Sequence, residues 1–290
     1  MMLATKGCST MPLSEYERKQ LEEVEKYWRQ PDESPLGRLS RAIFRPVELL
    51  TERIVPDAIL EGAGDAIEGT LRGITMLSDK TVTTGQVLNE ARRMNIPAST
   101  VADLQGLDLE PLDHLSKAIA SNNSLIALVE GAGCGLGGLA LLAADIPLLF
   151  GVAFRVVRLV GCAYGVDPAA PGEKLVAFKI FELAAGGTRD RYGALLELEA
   201  LKDELDGLDS QERAEKAAVL AGLLLSREGV KRVVRMLMSR KLAQMIPIAG
   251  AAVGAGFNYL FVSDVAETAR QVYRKRFLDE KMRREEPVAP

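Results

Sequence analysis

Three carboxylates, Glu130, Asp145 and Asp167, border or interrupt long apolar runs in this chain of 290 residues. An acid in such a place is desolvated, and desolvation raises a carboxyl pKa toward the range useful in proton transfer. A hydrolase built on this chain would use Asp145 and Asp167. No set of base, nucleophile and oxyanion donor can be assembled around them. Helix capping and internal ion pairing account for the same placement, with Arg155 and Arg158 as candidate partners of Asp145. The single histidine, His114, lies off the stripe of Leu112, Leu115 and Ile119 and reads as a solvated helix residue. One histidine and three scattered cysteines, Cys8, Cys134 and Cys162, remove most metal sites and most Ser-His or Cys-His nucleophiles. The odd cysteine count points to a reducing, cytosolic compartment. The residues therefore read as non-catalytic, and none is assigned to a metal or a cofactor.

One motif does suggest a cofactor. Gly133-Cys134-Gly135-Leu136-Gly137-Gly138 matches G-x-G-x-x-G. Dinucleotide binding needs that motif between a strand and a helix, with an acid further on. No acid stands at the expected distance and no β-α-β repeat surrounds the motif, so no dinucleotide is expected. A net charge of −4 gives no drive toward nucleic acid, and 5% aromatic residues make base-stacking platforms unexpected.

The elements that must carry these residues read as helices throughout. Apolar residues at 48% and charged residues at 26% describe a globular chain. Ser14 to Glu17 form a capping box, followed by a stripe of Leu21, Val24 and Trp28. Residues 38–54 place Leu39, Ile43, Val47 and Leu50 on one side. Residues 57–78 form a small-residue helix whose Glu61-Gly62-Ala63-Gly64 recurs at 130–133. Ser121 to Ser124 read as a turn and N-cap cluster. Residues 193–206 and the segment capped by Asp209 to Glu212 are charged helices, with nine acidic and five basic residues across 189–217. Six basic residues and one acid follow across 227–241. No stretch alternates with period two, so little or no sheet is expected.

Two runs stand apart. Residues 242–263 carry no charge, and 131–154 carry only Asp145 among their first 24 residues. Each is long enough to cross a bilayer. Gly131/Gly135, Gly133/Gly137 and Gly250/Gly254 have the spacing that lets helix backbones approach closely. Pro147 and Pro247 are expected to interrupt or start helices, Asn258 and Asp145 put polar groups inside the runs, and Asp264 ends the second. These features allow a soluble core, a membrane-inserting device, or both. The expected architecture is an all-α multi-helix bundle with Gly-rich central helical hairpins. Its limits are a disordered leader over 1–13, one domain over 14–280 and a disordered tail over 281–290.

The helix ending at Trp28, the block EGAGCGLGGLALLAADIPLLF at 130–150, the turn Tyr164-Gly165-Val166-Asp167 and the block at 247–278 together resemble the EcsC family of bacterial proteins. The family is named for a product encoded beside the ATPase and membrane subunits of an ABC transporter. The resemblance implies a cytoplasmic or membrane-associated accessory protein and carries over no catalytic residue. It also implies that the glycines and prolines of the two runs serve a shared architecture: Gly133, Gly137, Gly138, Pro147, Pro247, Gly250 and Gly254.

The function expected is that of an accessory protein lying peripherally on, or partly inserted in, the cytoplasmic membrane. Lys231, Arg232, Arg235, Arg240 and Lys241 would meet anionic lipid, each contributing about 1 kcal/mol. Transporter subunits or further copies of the chain are the expected protein partners, with the acidic helices at 193–217 as the docking surface.

Overall fold

A computed structural model describes residues 13–29, 56–76, 79–131, 138–185, 191–224, 226–242 and 253–285. They form eleven helices and no strand among the described residues. In chain order these are α1 (Glu15–Arg29), α2 (Asp57–Met76), α3 (Asp79–Arg93), α4 (Val101–Leu104), α5 (Leu109–Gly131), α6 (Gly138–Ala163), α7 (Glu173–Ala185), α8 (Arg191–Asp206), α9 (Ser210–Leu224), α10 (Arg227–Leu242) and α11 (Val253–Glu285).

Local chemistry starts several of them where the sequence says it should. The backbone N–H of Glu17 donates to Ser14 Oγ at 3.2 Å, and that of Ser14 donates to Glu17 Oε2 at 2.8 Å. Asp209 Oδ1 accepts from the N–H groups of Gln211 and Glu212 at 2.8 and 2.9 Å. Both arrangements satisfy donors that a helix start leaves open.

α11 is the axis of the fold. Its 33 residues span roughly 50 Å at the helical rise, and α1, α5, α6 and α7 pack along it. α6 is the second central element, buried on every side from Val156 to Tyr164. An aromatic cluster joins the three innermost helices. Phe150 of α6 meets Phe181 of α7 edge-on at 4.9 Å, and Phe181 meets Phe261 of α11 at 6.2 Å. Burying one such ring stabilises the fold by about 1.5–3 kcal/mol.

Several expectations need correction. Ser121 to Ser124 do not break the chain, because α5 runs through them to Gly131. Asn123 is buried and donates to Ile119 O at 2.8 Å, one turn back along the same helix, so its amide needs no turn. Pro147 lies inside α6 rather than at a boundary. Asp264, which ends the charge-free run, does not end a helix but lies inside α11, and Asp145 lies inside α6. Leu13, placed in the leader, is 5% exposed and belongs to the core. Residues 281–285, placed in the tail, continue α11, and Lys281 there is held by Glu17 at 2.7 Å. Residues 132–137 and 243–252 of the two Gly-rich runs, on which the expected hairpins depend, lie outside the described residues, as do residues 1–12, 30–55 and 286–290. α10 finds its main packing partners in α2 and α6.

Glycine matters most where α6 crosses α11. A Cβ on Gly161 would stand 2.8 Å from Cζ of Tyr273. The buried ring therefore rests directly on the α6 backbone. Gly161→Ala is expected to cost about 1–3 kcal/mol of stability, the range of core overpacking. Urea denaturation of the full chain measures it, and an unchanged midpoint would show that the ring moves aside freely.

Candidate functional site

A concentrated polar centre is built where α1, α5 and α11 meet the end of α6. Asp113 of α5 is 2% exposed. Its Oδ1 accepts from the hydroxyl of Tyr164 at 2.6 Å and from Nε of Arg274 at 2.9 Å. Its Oδ2 accepts from the hydroxyl of Tyr16 at 2.7 Å. Ser116, one turn on, lies 3.1 Å from the Tyr164 hydroxyl and accepts from Nε of Arg270 at 3.2 Å. Burial followed by the Asp113 charge raises the Tyr164 and Tyr16 phenols above their ordinary value. Both therefore remain neutral donors. Burial works against the Arg274 charge, but the Asp113 carboxylate in contact with it outweighs that and holds the guanidinium protonated.

A second buried carboxylate lies one helical turn away, at the start of α5. Glu17 is fully buried. Its Oε1 accepts from Lys281 Nζ at 2.7 Å and from the backbone N–H of Leu109 at 3.4 Å. Burial alone would raise its pKa. The bonds from Lys281 and from backbone N–H groups outweigh that and hold it below its ordinary value. Glu17 thus does two jobs, closing the capping box of α1 and sitting at the N-terminus of α5, where the helix dipole favours an anion. A third acid, Glu173, is paired with Arg276, which in turn reaches Glu280 at 3.2 Å. Burial pushes the Glu173 carboxyl up, and the Arg276 guanidinium opposes that.

A cleft of about 210 Å³ opens beside this centre, lined by Gln105, Asp108, Phe277, Lys281 and Arg284 among others. Its cations are engaged: Lys281 with Glu17 and with Asp108 at 3.5 Å, Arg284 with Gln105 at 3.2 Å. Among the described residues no group of three or more His, Cys, Asp or Glu could hold a metal ion. Burial pushes the Cys162 thiol up to about 12, so it is no thiolate nucleophile at neutral pH. The centre has donors and an acceptor already matched to each other. That arrangement ties α1, α5 and α11 to the end of α6 at fixed heights.

The residues singled out in the sequence are dispersed. Tyr164 enters the Asp113 centre. Asp145 and Asn258, both buried, meet at 3.3 Å between α6 and α11. Asp167 stands in the turn after α6 and accepts from the N–H of Ala169 at 3.0 Å. Asp145 stands 18 residues before the end of α6, roughly 27 Å along the helical rise, while Asp167 stands in the turn beyond that end. Arg155 donates to Gln86 at 2.9 Å. Trp28 is buried, edge-on to Tyr27 at 5.0 Å. Asp264 is half-buried in α11, while Glu130, Gly138 and Gly254 lie on α5, α6 and α11. Gly133, Gly137, Pro247 and Gly250 fall outside the described residues. His114 is exposed. Of the basic set, Lys231 reaches Glu61 at 3.3 Å, Arg232 and Arg235 are exposed, and Arg240 and Lys241 close α10.

The model of the EcsC protein family matches residues 18–278. The chain belongs to the EcsC protein family. It is 25% identical to uncharacterized protein YdbA of Bacillus subtilis (strain 168) over 273 residues, 92% of this chain and 95% of that one. It is 28% identical to protein EcsC of the same organism over 182 residues, 61% of this chain and 69% of that one. No solved structure matches the chain. In this EcsC-family chain the sequence pattern marks Glu17 as a capping residue but not as a buried partner of Lys281, and it does not mark Asp113, Tyr16 or Arg274 as a centre. Their signal was a polar residue at an apolar position. Asp113 and Ser116 interrupt the stripe of Leu109, Leu112, Leu115 and Ile119, and Glu17 shares its face with Gln20, Val24 and Trp28.

Because the folded-state pKa of Glu17 lies below its ordinary 4.5, its contribution is complete above that value and is lost as pH falls through the lowered one. Glu17→Gln is expected to destabilise the chain by about 2 kcal/mol at pH 7. The gap to the parent should narrow as pH drops below 4.5. Denaturation midpoints across that range measure both, and a gap independent of pH would remove the charge from the explanation. Tyr164→Phe is expected to cost about 1–3 kcal/mol, because it withdraws a buried donor from Asp113.

Proposed function

We propose that this protein is a non-catalytic accessory protein that works at the cytoplasmic face of a membrane, with α10 turned toward anionic headgroups. The observation that carries this reading is the exposed pair Arg232 and Arg235, three residues apart on α10. Val230, Val233, Val234, Leu237 and Met238 of the same helix are buried, so its basic face is the one left to solvent. The helix ends at Leu242, where the charge-free run to Ser263 begins. A basic helix beside an uncharged segment suits lipid, where electrostatic attraction and apolar burial act together.

A fixed transmembrane anchor is not part of the proposal. Asp145–Ala163 is long and apolar enough to span a bilayer, yet 72% of it is buried inside the protein. A core helix passes the same test. The matched polar centre around Asp113 also supports a structural rather than catalytic interior. Subunits of an ABC transporter, implied by the family resemblance, are the proposed neighbours on the membrane.

Cosedimentation with vesicles tests the reading. The full chain is expected to bind vesicles containing anionic lipid and to leave neutral ones in the supernatant. Arg232→Glu with Arg235→Glu is expected to weaken binding by at least about tenfold at low salt, since each basic residue contributes about 1 kcal/mol. Equal binding to neutral vesicles, or no effect of the double substitution, would contradict the proposal.

A further inference from the structure

The outer surface of the α8–α9 hairpin has an apolar end and an acidic end. Leu196 is 45% exposed, and Val219 and Leu223 are each 65% exposed. Four of the six large apolar side chains exposed among the described residues lie on this hairpin; the fourth is Tyr192. Scattered exposed aliphatics are ordinary, whereas a concentration on one element marks an interaction site. Val219 and Leu223 share one face of α9, being four residues apart. The contact of Lys216 with Glu204 sets the antiparallel register. Seven residues further from the turn, that register brings Leu223 level with Glu197 and so next to the level of Leu196.

Toward the turn the surface becomes acidic. Asp203, Glu204, Asp206, Glu212 and Glu215 are all exposed. The cations of the hairpin engage Asp206 and Glu204, with Arg213 reaching Asp206 at 3.9 Å, rather than Asp203, Glu212 or Glu215. Lys202 lies between Asp206 at 3.0 Å and Glu280 at 3.5 Å. Arg213 is folded back on the carbonyl oxygens of Leu205 and Leu208 at 2.8 and 3.1 Å, and Lys216 is engaged by Glu204.

We propose that this hairpin docks a partner protein through an amphipathic helix that is aliphatic at one end and rich in Lys or Arg at the other. The aliphatic end would cover Leu196, Val219 and Leu223, and the basic end would lie along Asp203, Glu212 and Glu215. Charge complementarity selects this occupant. An anionic bilayer would be repelled by the same acids, so this surface is distinct from the basic face of α10 and its role does not depend on it. Burying the aliphatic anchors supplies affinity, and the acids supply orientation and rate.

Fluorescence anisotropy with the full chain tests the proposal, using a short synthetic Leu/Lys amphipathic helical peptide and its Leu/Glu counterpart. The Leu/Lys peptide is expected to bind at physiological salt and the Leu/Glu peptide not to bind. Val219→Ser with Leu223→Ser is expected to weaken binding at least about tenfold, with the melting midpoint and vesicle binding unchanged. Leu196→Ser, on the neighbouring helix, should weaken it independently. Equal binding of both peptides, or full binding by the Ser variants, would overturn the docking surface. A loss of vesicle binding in the same variants would also overturn it, by assigning the patch to lipid.

Discussion

Placing guanidinium groups in the interior constrains everything around α11. Arg274 has 6% of its side chain exposed, and its partner Asp113 has 3%. A charge taken out of water costs several kcal/mol unless an opposite charge and further hydrogen bonds meet it in good geometry. α11 carries Arg270, Arg274, Arg276 and Lys281 along its packed length, so each helix laid against it must deliver an acid or an acceptor at a set height. α5 delivers Asp113 and Ser116, α1 delivers Glu17, and α7 delivers Glu173 at its first residue. A one-turn slip of any of them would leave a buried charge alone. Apolar packing such as the Phe150, Phe181 and Phe261 cluster gives the core its attraction. The ionic contacts select one register among several apolar ones.

The same matching occupies the buried carboxylates of these centres. Every acid in the Asp113 and Glu17 centres faces donors from the chain itself, and the phenols beside them are held neutral by burial. A general base needs a substrate proton within reach and a pKa near the working pH. Neither centre provides an open position for one. On the surface, two described faces have opposite character: basic on α10 and acidic with aliphatic residues on α8 and α9. The two proposals assign a lipid headgroup layer to the first and a basic protein helix to the second.

Much of the fold was legible in the sequence because its signals are local. The Ser14 and Asp209 caps, the turn at Tyr164 to Asp167 and the 3.6-residue stripes depend on neighbours within a few positions. Gly165 at φ 84° is one such signal, fitting a turn that side chains rarely adopt. The errors came where tertiary burial overrides local preference. Ser121 to Ser124 look like a turn, yet α5 stays helical because its apolar stripe is held by α6 and α11. Pro147 can sit inside α6 because packing on several sides stabilises the helix across the missing N–H bond. The Asp113 centre joins residues separated by 97 and 161 positions. No local pattern encodes those pairings, and only the misfit of a polar residue on an apolar stripe hinted at them.

The register role of the α5–α11 ion pair is the central claim, and a double-mutant cycle in chemical denaturation tests it most directly. Asp113→Leu and Arg274→Met would each strand a buried charge and are predicted to cost about 3–5 kcal/mol. Removing both strands neither, so the double variant should be no less stable than the worse single one, giving a coupling of about 2 kcal/mol or more. Additive losses within about 0.5 kcal/mol would mean that the two groups act independently and would contradict the account.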